Sequence, residues 1–286
     1  MNKIKKVSPH ESKFLQRTTV IAKPPKSLWY IGKLPADGPS VAIVGSRKPT
    51  AYGREITLKL ASQLAARGVI IISGLALGHD ALASQGALDG GGITIGVVGN
   101  GLDDMYPKTT WQLRMEIIDR GGMVLSEYPP GTPVYKGNFL ARNRLITALS
   151  DVVIVVEAGA RSGTLNTAMH ALEQNKELMA VPGNITSPLS VGCNQLIAQG
   201  AAPVLSVDDV LARLDLGSTG TASAIPPLGD DPNQTLLLQL ISAGVSDGDE
   251  LIAQSKLDTS EYNQAMTMLE INSIIRPLGG NQWIIK

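Results

Sequence analysis

The stretch VAIVGSRKPTAYG, Val41–Gly53, holds the residues best placed to do chemistry. Val41, Ala42, Ile43 and Val44 form a continuous apolar run, the pattern of a strand buried on both faces. Gly45 and Ser46 turn the chain, and Ala51–Arg67 then has helical spacing, with Ile56, Leu60 and Leu64 on one stripe. A strand, a glycine turn and a helix in that order leave unpaired backbone N–H groups at the helix start, which attract anions and phosphate above all. Arg47, in the turn, can fork onto a phosphate or a base edge. The same residues also fit a structural turn with a solvated arginine.

Other candidates for chemistry are thin. No Gly-Lys-Ser/Thr closes a phosphate-binding loop, and no GxSxG elbow is present. Gly99-Asn100-Gly101 lacks the third glycine of a dinucleotide fingerprint, and Asp103 and Asp104 beside it would repel a pyrophosphate. Glu127 and Glu157, both at predicted strand ends, are candidates for a catalytic carboxylate pair; loop and cap support is the reading we favour. His10, His79 and His170 have no metal-ligand spacing and read as structural or exposed. Cys193 is the only cysteine, which excludes an internal disulfide and fits a reducing, cytoplasmic setting.

The elements that must position these residues alternate from Ser40 onward. Apolar strands are expected at Val69–Ser73, Ile93–Val98, Met123–Ser126, Val152–Glu157, Glu177–Val181 and Ala202–Leu205. Helices are expected at Asp80–Leu88, Trp111–Arg120, Phe139–Leu149, Thr164–Gln174 and Val207–Leu214. This alternation indicates an α/β fold: a doubly wound, mostly parallel, Rossmann-like sheet that binds ligands beyond the carboxyl ends of its strands. Three glycine turns fall at those ends, Gly45-Ser46, Gly99-Asn100-Gly101 and Ser162-Gly163-Thr164, and together they point to an extended anionic ligand.

Of the 286 residues 43% are hydrophobic but only 4% aromatic, so the core must be aliphatic. Net charge is zero, and its distribution is uneven. Residues 1–38 carry eight Lys/Arg against two Asp/Glu, residues 39–230 fourteen against sixteen, and residues 231–286 three against seven. A polyanion must therefore meet a local basic site. The divisions expected are a basic N-terminal arm over 1–38, the Rossmann-like domain over 39–216, a Gly/Ser/Thr/Pro-rich linker over 217–231 and a small unit over 232–286. No apolar run is long enough to span a bilayer, and no signal-peptide core is present.

In the small unit, helices at Thr235–Ile241, Asp247–Ser255 and Thr259–Asn272 precede two strand-like runs, Ile274–Pro277 and Gln282–Ile285, around Gly279-Gly280. That is a winged-helix pattern, whose usual partner is duplex DNA. Lys256, Arg276 and Lys286 are too few for phosphate contacts, which favours a protein-docking or regulatory module.

Several unusual motifs recur here in a set order. They are Gly45-Ser46-Arg47 with Tyr52-Gly53, Ser73-Gly74-Leu75-Ala76 with Gly78 and Asp80, and Gly99-Asn100-Gly101-Leu102-Asp103 followed by Tyr106-Pro107-Lys108. Then come Ser126-Glu127-Tyr128-Pro129-Pro130-Gly131, Arg142-Asn143-Arg144, Glu157-Ala158 with Arg161-Ser162-Gly163-Thr164, and Val181-Pro182-Gly183-Asn184 with Gly192-Cys193-Asn194. Over Trp29–Leu214 the chain resembles the DNA-processing protein A (DprA/Smf) family of bacteria, and its tail is similar to the winged-helix appendage of many members.

The resemblance implies a single-stranded DNA-binding protein of natural transformation, which protects incoming strands, loads RecA recombinase on them and forms a homodimer. It implies no catalytic activity, cofactor or membrane association. By position, Arg47 and Lys108 would contact the strand, Arg142 and Arg144 would line the same pocket, and Gly45, Ser46, Gly163 and Thr164 would donate to phosphates. Tyr106 and Phe139 are the stacking candidates nearest these motifs, with core packing as the alternative. His79 and Ala83-Ser84 depart from the family pattern. The enzyme alternative, a nucleotide phosphoribohydrolase, uses a Glu three residues after the Thr of its glycine turn; Thr167 stands there instead.

Overall fold

Strands that are apolar at every position must be covered on both sides, and the covering layers here are helices. The computed structural model describes residues 3–104, 106–216, 231–242, 245–272 and 274–285. They form two units, Met1–Gly217 and Ser218–Lys286. The linker expected over 217–231 lies, apart from Asp231, outside the described residues.

The larger unit begins with β1 (Lys5–Val7), a short α1 (Lys13–Gln16) and β2 (Leu28–Gly32). Alternation then sets in: β3 (Ser40–Val44), α2 (Ala51–Ala66), β4 (Ile70–Ser73), α3 (His79–Asp89), β5 (Thr94–Val98), α4 (Trp111–Asp119) and β6 (Met123–Ser126). It continues through α5 (Lys136–Leu149), β7 (Val152–Val155), α6 (Thr164–Glu173), β8 (Glu177–Ala180), α7 (Val191–Ala198), β9 (Ala202–Pro203) and α8 (Val207–Arg213).

These strands form one nine-stranded sheet in the order β1-β2-β6-β5-β4-β3-β7-β8-β9. From β6 to β9 every pairing is parallel. Alternate residues serve opposite faces. Ala42 and Val44 join one core layer, with Leu145, Leu149 and Ala168 from α5 and α6. Val41 and Ile43 join the other, with Leu60, Leu64 and Ala83 from α2 and α3. Strand order runs outward from β3 in one direction and from β7 in the other. The topological switch point is thus the crevice between β3 and β7.

The N-terminal segment is part of this sheet, which corrects the arm expected over 1–38. β2 pairs antiparallel with β6, and β1 with β2. Phe14, Leu15 and Leu28 are fully buried in the core. Arg17 ties the segment down through Asp37 at 2.8 Å and Asp151 at 3.1 Å, and it donates to Ser40 Oγ at 2.7 Å. Two of the lysines that suggest an arm, Lys5 and Lys6, sit on the edge strand β1, their ammonium groups over the rings of Tyr30 and Trp29. Edge strands edged with lysine resist further pairing.

In the smaller unit, α9 (Pro232–Ser242), α10 (Gly248–Ser255) and α11 (Thr259–Ile271) pack around Leu237, Leu238, Leu251 and Leu269, and β10 (Ile275–Gly279) pairs antiparallel with β11 (Gln282–Ile285). This is the expected winged helix. Much of its acidity caps helices. Asp247 accepts from the N–H groups of Asp249 and Glu250, and Asp258 and Glu261 form a capping box on α11. The exposed side chains along α11, among them Asn263, Gln264, Thr267 and Glu270, include no lysine or arginine.

Candidate functional site

The turns that leave β3, β4 and β5 meet at one edge of the sheet. Arg47, Gly74, Ala76, Leu77, Val98, Tyr106, Pro107 and Phe139 enclose a single pocket there. Arg47 and Lys108 are exposed, as a site for a solvent-borne anion requires. The Tyr106 and Phe139 rings lie 5.6 Å apart at a tilt of 50°, Tyr106 being 47% exposed and Phe139 half-buried. A guanidinium and two open aromatic rings in one cleft, with the exposed Lys108 following Pro107 of its wall, can hold both a phosphate and the face of a base.

Beneath the pocket lies a polar network that sequence alone does not announce. Glu157, at the end of β7, is 2% exposed. Its carboxylate accepts from the Thr50 backbone N–H at 2.9 Å, from the Thr50 hydroxyl, and from His79 Nε2 at 3.0 Å. His79 Nδ1 sits 2.6 Å from Thr57 Oγ1. Burial holds the imidazole below its usual pKa, opposed by the Glu157 carboxylate. Nε2 faces the Glu157 carboxylate, and Nδ1 faces the Thr57 hydroxyl oxygen, whose proton is directed to the Gly53 carbonyl at 2.7 Å, so both ring nitrogens are engaged. The histidine is therefore structural, as its isolation in sequence implies.

Two glycines of the first motif are explained by this network. A Cβ on Gly45 would lie 2.4 Å from the His79 ring, and one on Gly53 would lie 2.4 Å from the Glu157 carboxyl group. Gly78, at φ 78°, passes against the turn itself; a Cβ there would lie 2.3 Å from the Ser46 carbonyl oxygen. Glu127 and Glu157 do not form a pair. They end β6 and β7, four positions apart in the sheet, roughly 19 Å at 4.8 Å per strand.

The four expected cations do not share one pocket. Arg142 is 4% exposed and lies under the floor, where its Nη1 donates to the Val97 carbonyl. Burial lowers its pKa to about 10, and the same burial pushes the nearby Asp80 carboxyl up. Asp80 accepts from the Gly74 N–H at 3.0 Å. A Cβ on Gly74 would strike both, at 2.0 Å from Arg142 Nη1 and 2.5 Å from Asp80 Oδ2. Arg142 thus braces the β4–α3 turn and adds positive charge from below. Arg144 points elsewhere, into an ion pair with Glu127.

The backbone donors expected for phosphate are largely occupied. Ser46 N–H donates to the Glu157 carbonyl at 2.9 Å, and its hydroxyl exchanges hydrogen bonds with Lys48. Thr50 Oγ1 caps Gly53 at 3.0 Å. At α6, the Thr164 N–H donates to Ser162 Oγ at 3.1 Å, while Gly163 is exposed. Gly45, Ser46 and Thr164 shape turns, and the exposed charge comes from side chains. Lys48, Arg54 and Arg161 are further exposed cations on the loops and helix at the β3–β7 crevice. Their signal in the sequence is only their position beside glycine turns. Among the described residues no cluster of His, Cys, Asp and Glu could hold a metal ion.

Fold and site define a class: a doubly wound α/β protein with a cationic, aromatic cleft at the carboxyl edge of its sheet and an appended winged helix. The chain belongs to the DNA recombination-mediator protein A family, whose model matches residues 5–215, and the DprA winged-helix model matches residues 219–281. It is 39% identical over 236 residues to the protein Smf of Synechocystis, covering 81% of this chain and 57% of that protein. It is 44% identical over 192 residues to the DNA processing protein DprA of Streptococcus pneumoniae, covering 67% of each. The chain thus spans little more than half the length of the Synechocystis relative.

Among solved structures, DNA processing protein A of Helicobacter pylori, described for its single-stranded DNA binding mode, superposes with a TM-score of 0.65 at 33% identity, covering 76% of this chain and 99% of that one. The S. pneumoniae DprA structure gives the same TM-score at 39% identity over 73% of this chain and 74% of that one. Among the described residues no helix is long and apolar enough to cross a membrane.

Proposed function

We propose that this protein binds single-stranded DNA in the Arg47–Lys108 cleft and hands it to RecA recombinase. The cleft carries the reading: exposed Arg47 sits beside the open Tyr106 and Phe139 rings, at the sheet edge where this fold binds ligands. A single strand offers both phosphates and unstacked bases to such a surface, and a duplex hides its bases. The H. pylori relative's single-strand binding mode supports the same assignment. In this reading the protein acts by binding.

The recombinase step rests on membership of a recombination-mediator family. A homodimer would be formed by the larger unit. The sheet ends there on the two-residue strand β9, and Leu205, two residues beyond it, is 76% exposed. The winged helix, with no cation along the exposed side of α11, serves protein docking rather than duplex binding.

The test is RecA filament assembly on single strands, with and without this protein. Wild type should speed nucleation and Arg47→Ala should not. Equal stimulation by both would overturn the proposed route through the cleft.

A further inference from the structure

A second cationic cleft lies on the same sheet edge, where the N-terminal segment joins it. β2 runs antiparallel to β6 with Trp29 opposite Ser126, so Leu28 is level with Glu127 and the chain from Ser27 back to Lys23 lies just beyond, at the end where the parallel strands finish. Lys23, Lys26, Trp29, Glu127 and Arg144 border a cavity of about 290 Å3. Pro24 and Pro25 stiffen the segment between the two lysines. Both lysines are exposed, and among the described residues neither has an ion-pair partner. Glu127 is the one acid on the rim, and Arg144 already neutralises it. The cleft therefore keeps the charge of two free ammonium groups.

Its placement gives it a use. The Arg47 cleft is walled by the turns after β4 and β5 and the second cleft by β2 and β6, about two positions further along the sheet, roughly 10 Å at 4.8 Å per strand. Helix α5 spans the gap. Phe139 faces the Arg47 cleft and Arg144, one and a half turns on, faces the second. From these placements we infer that the Lys23–Lys26 cleft is a second phosphate station, which holds the backbone of a single strand leaving the Arg47 cleft. This rests on the reading of the Arg47 cleft as a single-strand site. Arg144 lines the track at a point beyond the first cleft, which accounts for its facing away from it.

The test compares oligo-dT of about 4 and about 16 nucleotides, the range of common single-strand site sizes. Binding is titrated against salt for wild type, Arg47→Ala, the double variant Lys23→Gln/Lys26→Gln and the charge-retaining Lys23→Arg/Lys26→Arg. Each phosphate contact to a single strand contributes about 0.7 to the slope of log K against log salt. For the glutamine variant the slope on the long oligomer should fall by about 1.4, with binding of the short one unchanged. The arginine variant should keep the wild-type slope. An unchanged slope for the glutamine variant on the long oligomer would overturn the second station. Failure of Arg47→Ala to weaken the short oligomer would instead overturn the first cleft, and the second with it.

Discussion

Nε2 of His79 lies 3.0 Å from Oε2 of Glu157, and both residues are buried directly under the turn that presents Arg47. This contact joins the start of α3 to the end of β7, and Glu157 extends it to the N-cap of α2 through Thr50. Three segments that meet at the switch point are thereby held in one arrangement. The exposed Arg47 rests on a rigid base, which a site for a flexible strand needs.

The network should make stability fall with mild acid. The folded pKa of His79 lies below its usual 6.5 because burial disfavours the charged ring. As pH drops below 6.5, the unfolded chain takes up a proton that the folded chain does not, so stability present above that pH is lost. Asp80 acts in the opposite sense, since its raised pKa favours the fold in acid. Urea denaturation of wild type and His79→Gln across this range isolates the histidine. Wild type should lose stability on acidification and the variant should lose less; parallel curves would refute the assignment.

Glycines over the network should resist substitution. Gly53→Ala places a methyl group 2.4 Å from the Glu157 carboxyl carbon, and overpacking of this kind costs about 1–3 kcal/mol. Gly159→Ala is the control, since its Cβ would meet nothing nearer than 3.7 Å. Chemical denaturation should show a loss for the first and a change within about 0.5 kcal/mol for the second.

Arg142 and Arg47 should separate stability from binding. Arg142→Ala leaves Asp80 buried without its compensating charge, a loss of about 3 kcal/mol, whereas exposed Arg47→Ala should shift stability by no more than about 0.5 kcal/mol. Arg142→Ala/Asp80→Asn should recover part of the loss. Thermal melts of the three variants decide the matter.

The aromatic pair should carry base contacts. Tyr106→Ala and Phe139→Ala should each weaken single-strand binding by about 1–3 kcal/mol, the range for one stacked base. Phe139→Tyr should retain it. Fluorescence anisotropy with labelled oligo-dT measures all three, and wild-type affinity in both alanine variants would assign the rings to packing alone.

Much of this was legible in the residues. Apolar runs marked each parallel strand of β3 to β8 within a residue or two, because strands buried on both faces carry no polar interruption. Helix α7 carries no comparable signal in the sequence. Val191–Ala198 is short, and its Gly192 and Cys193 read as a motif. In the structure Asn194 of this helix bonds both the N–H and the carbonyl of Gly183, which ties those two motifs together in the fold. The N-terminal segment misleads because lysine density is visible in sequence, while the burial of Phe14 and Leu28 depends on a distant strand. Arg142 and Arg144 could not share a pocket, since residues two apart on a helix differ by roughly 200° in direction. Which of them faces inward depends on the Val97 carbonyl and Asp80, set by tertiary packing.

The most direct test of the central claim is a salt titration of binding to fluorescent oligo-dT beside the matching duplex, with wild type and Arg47→Ala. Single-strand binding should exceed duplex binding and weaken steeply with salt. Arg47→Ala should lower the affinity and reduce the salt slope by about 0.7, one phosphate contact. Equal binding of both DNA forms, or an unchanged slope in the variant, would contradict the assignment of this cleft to single-stranded DNA.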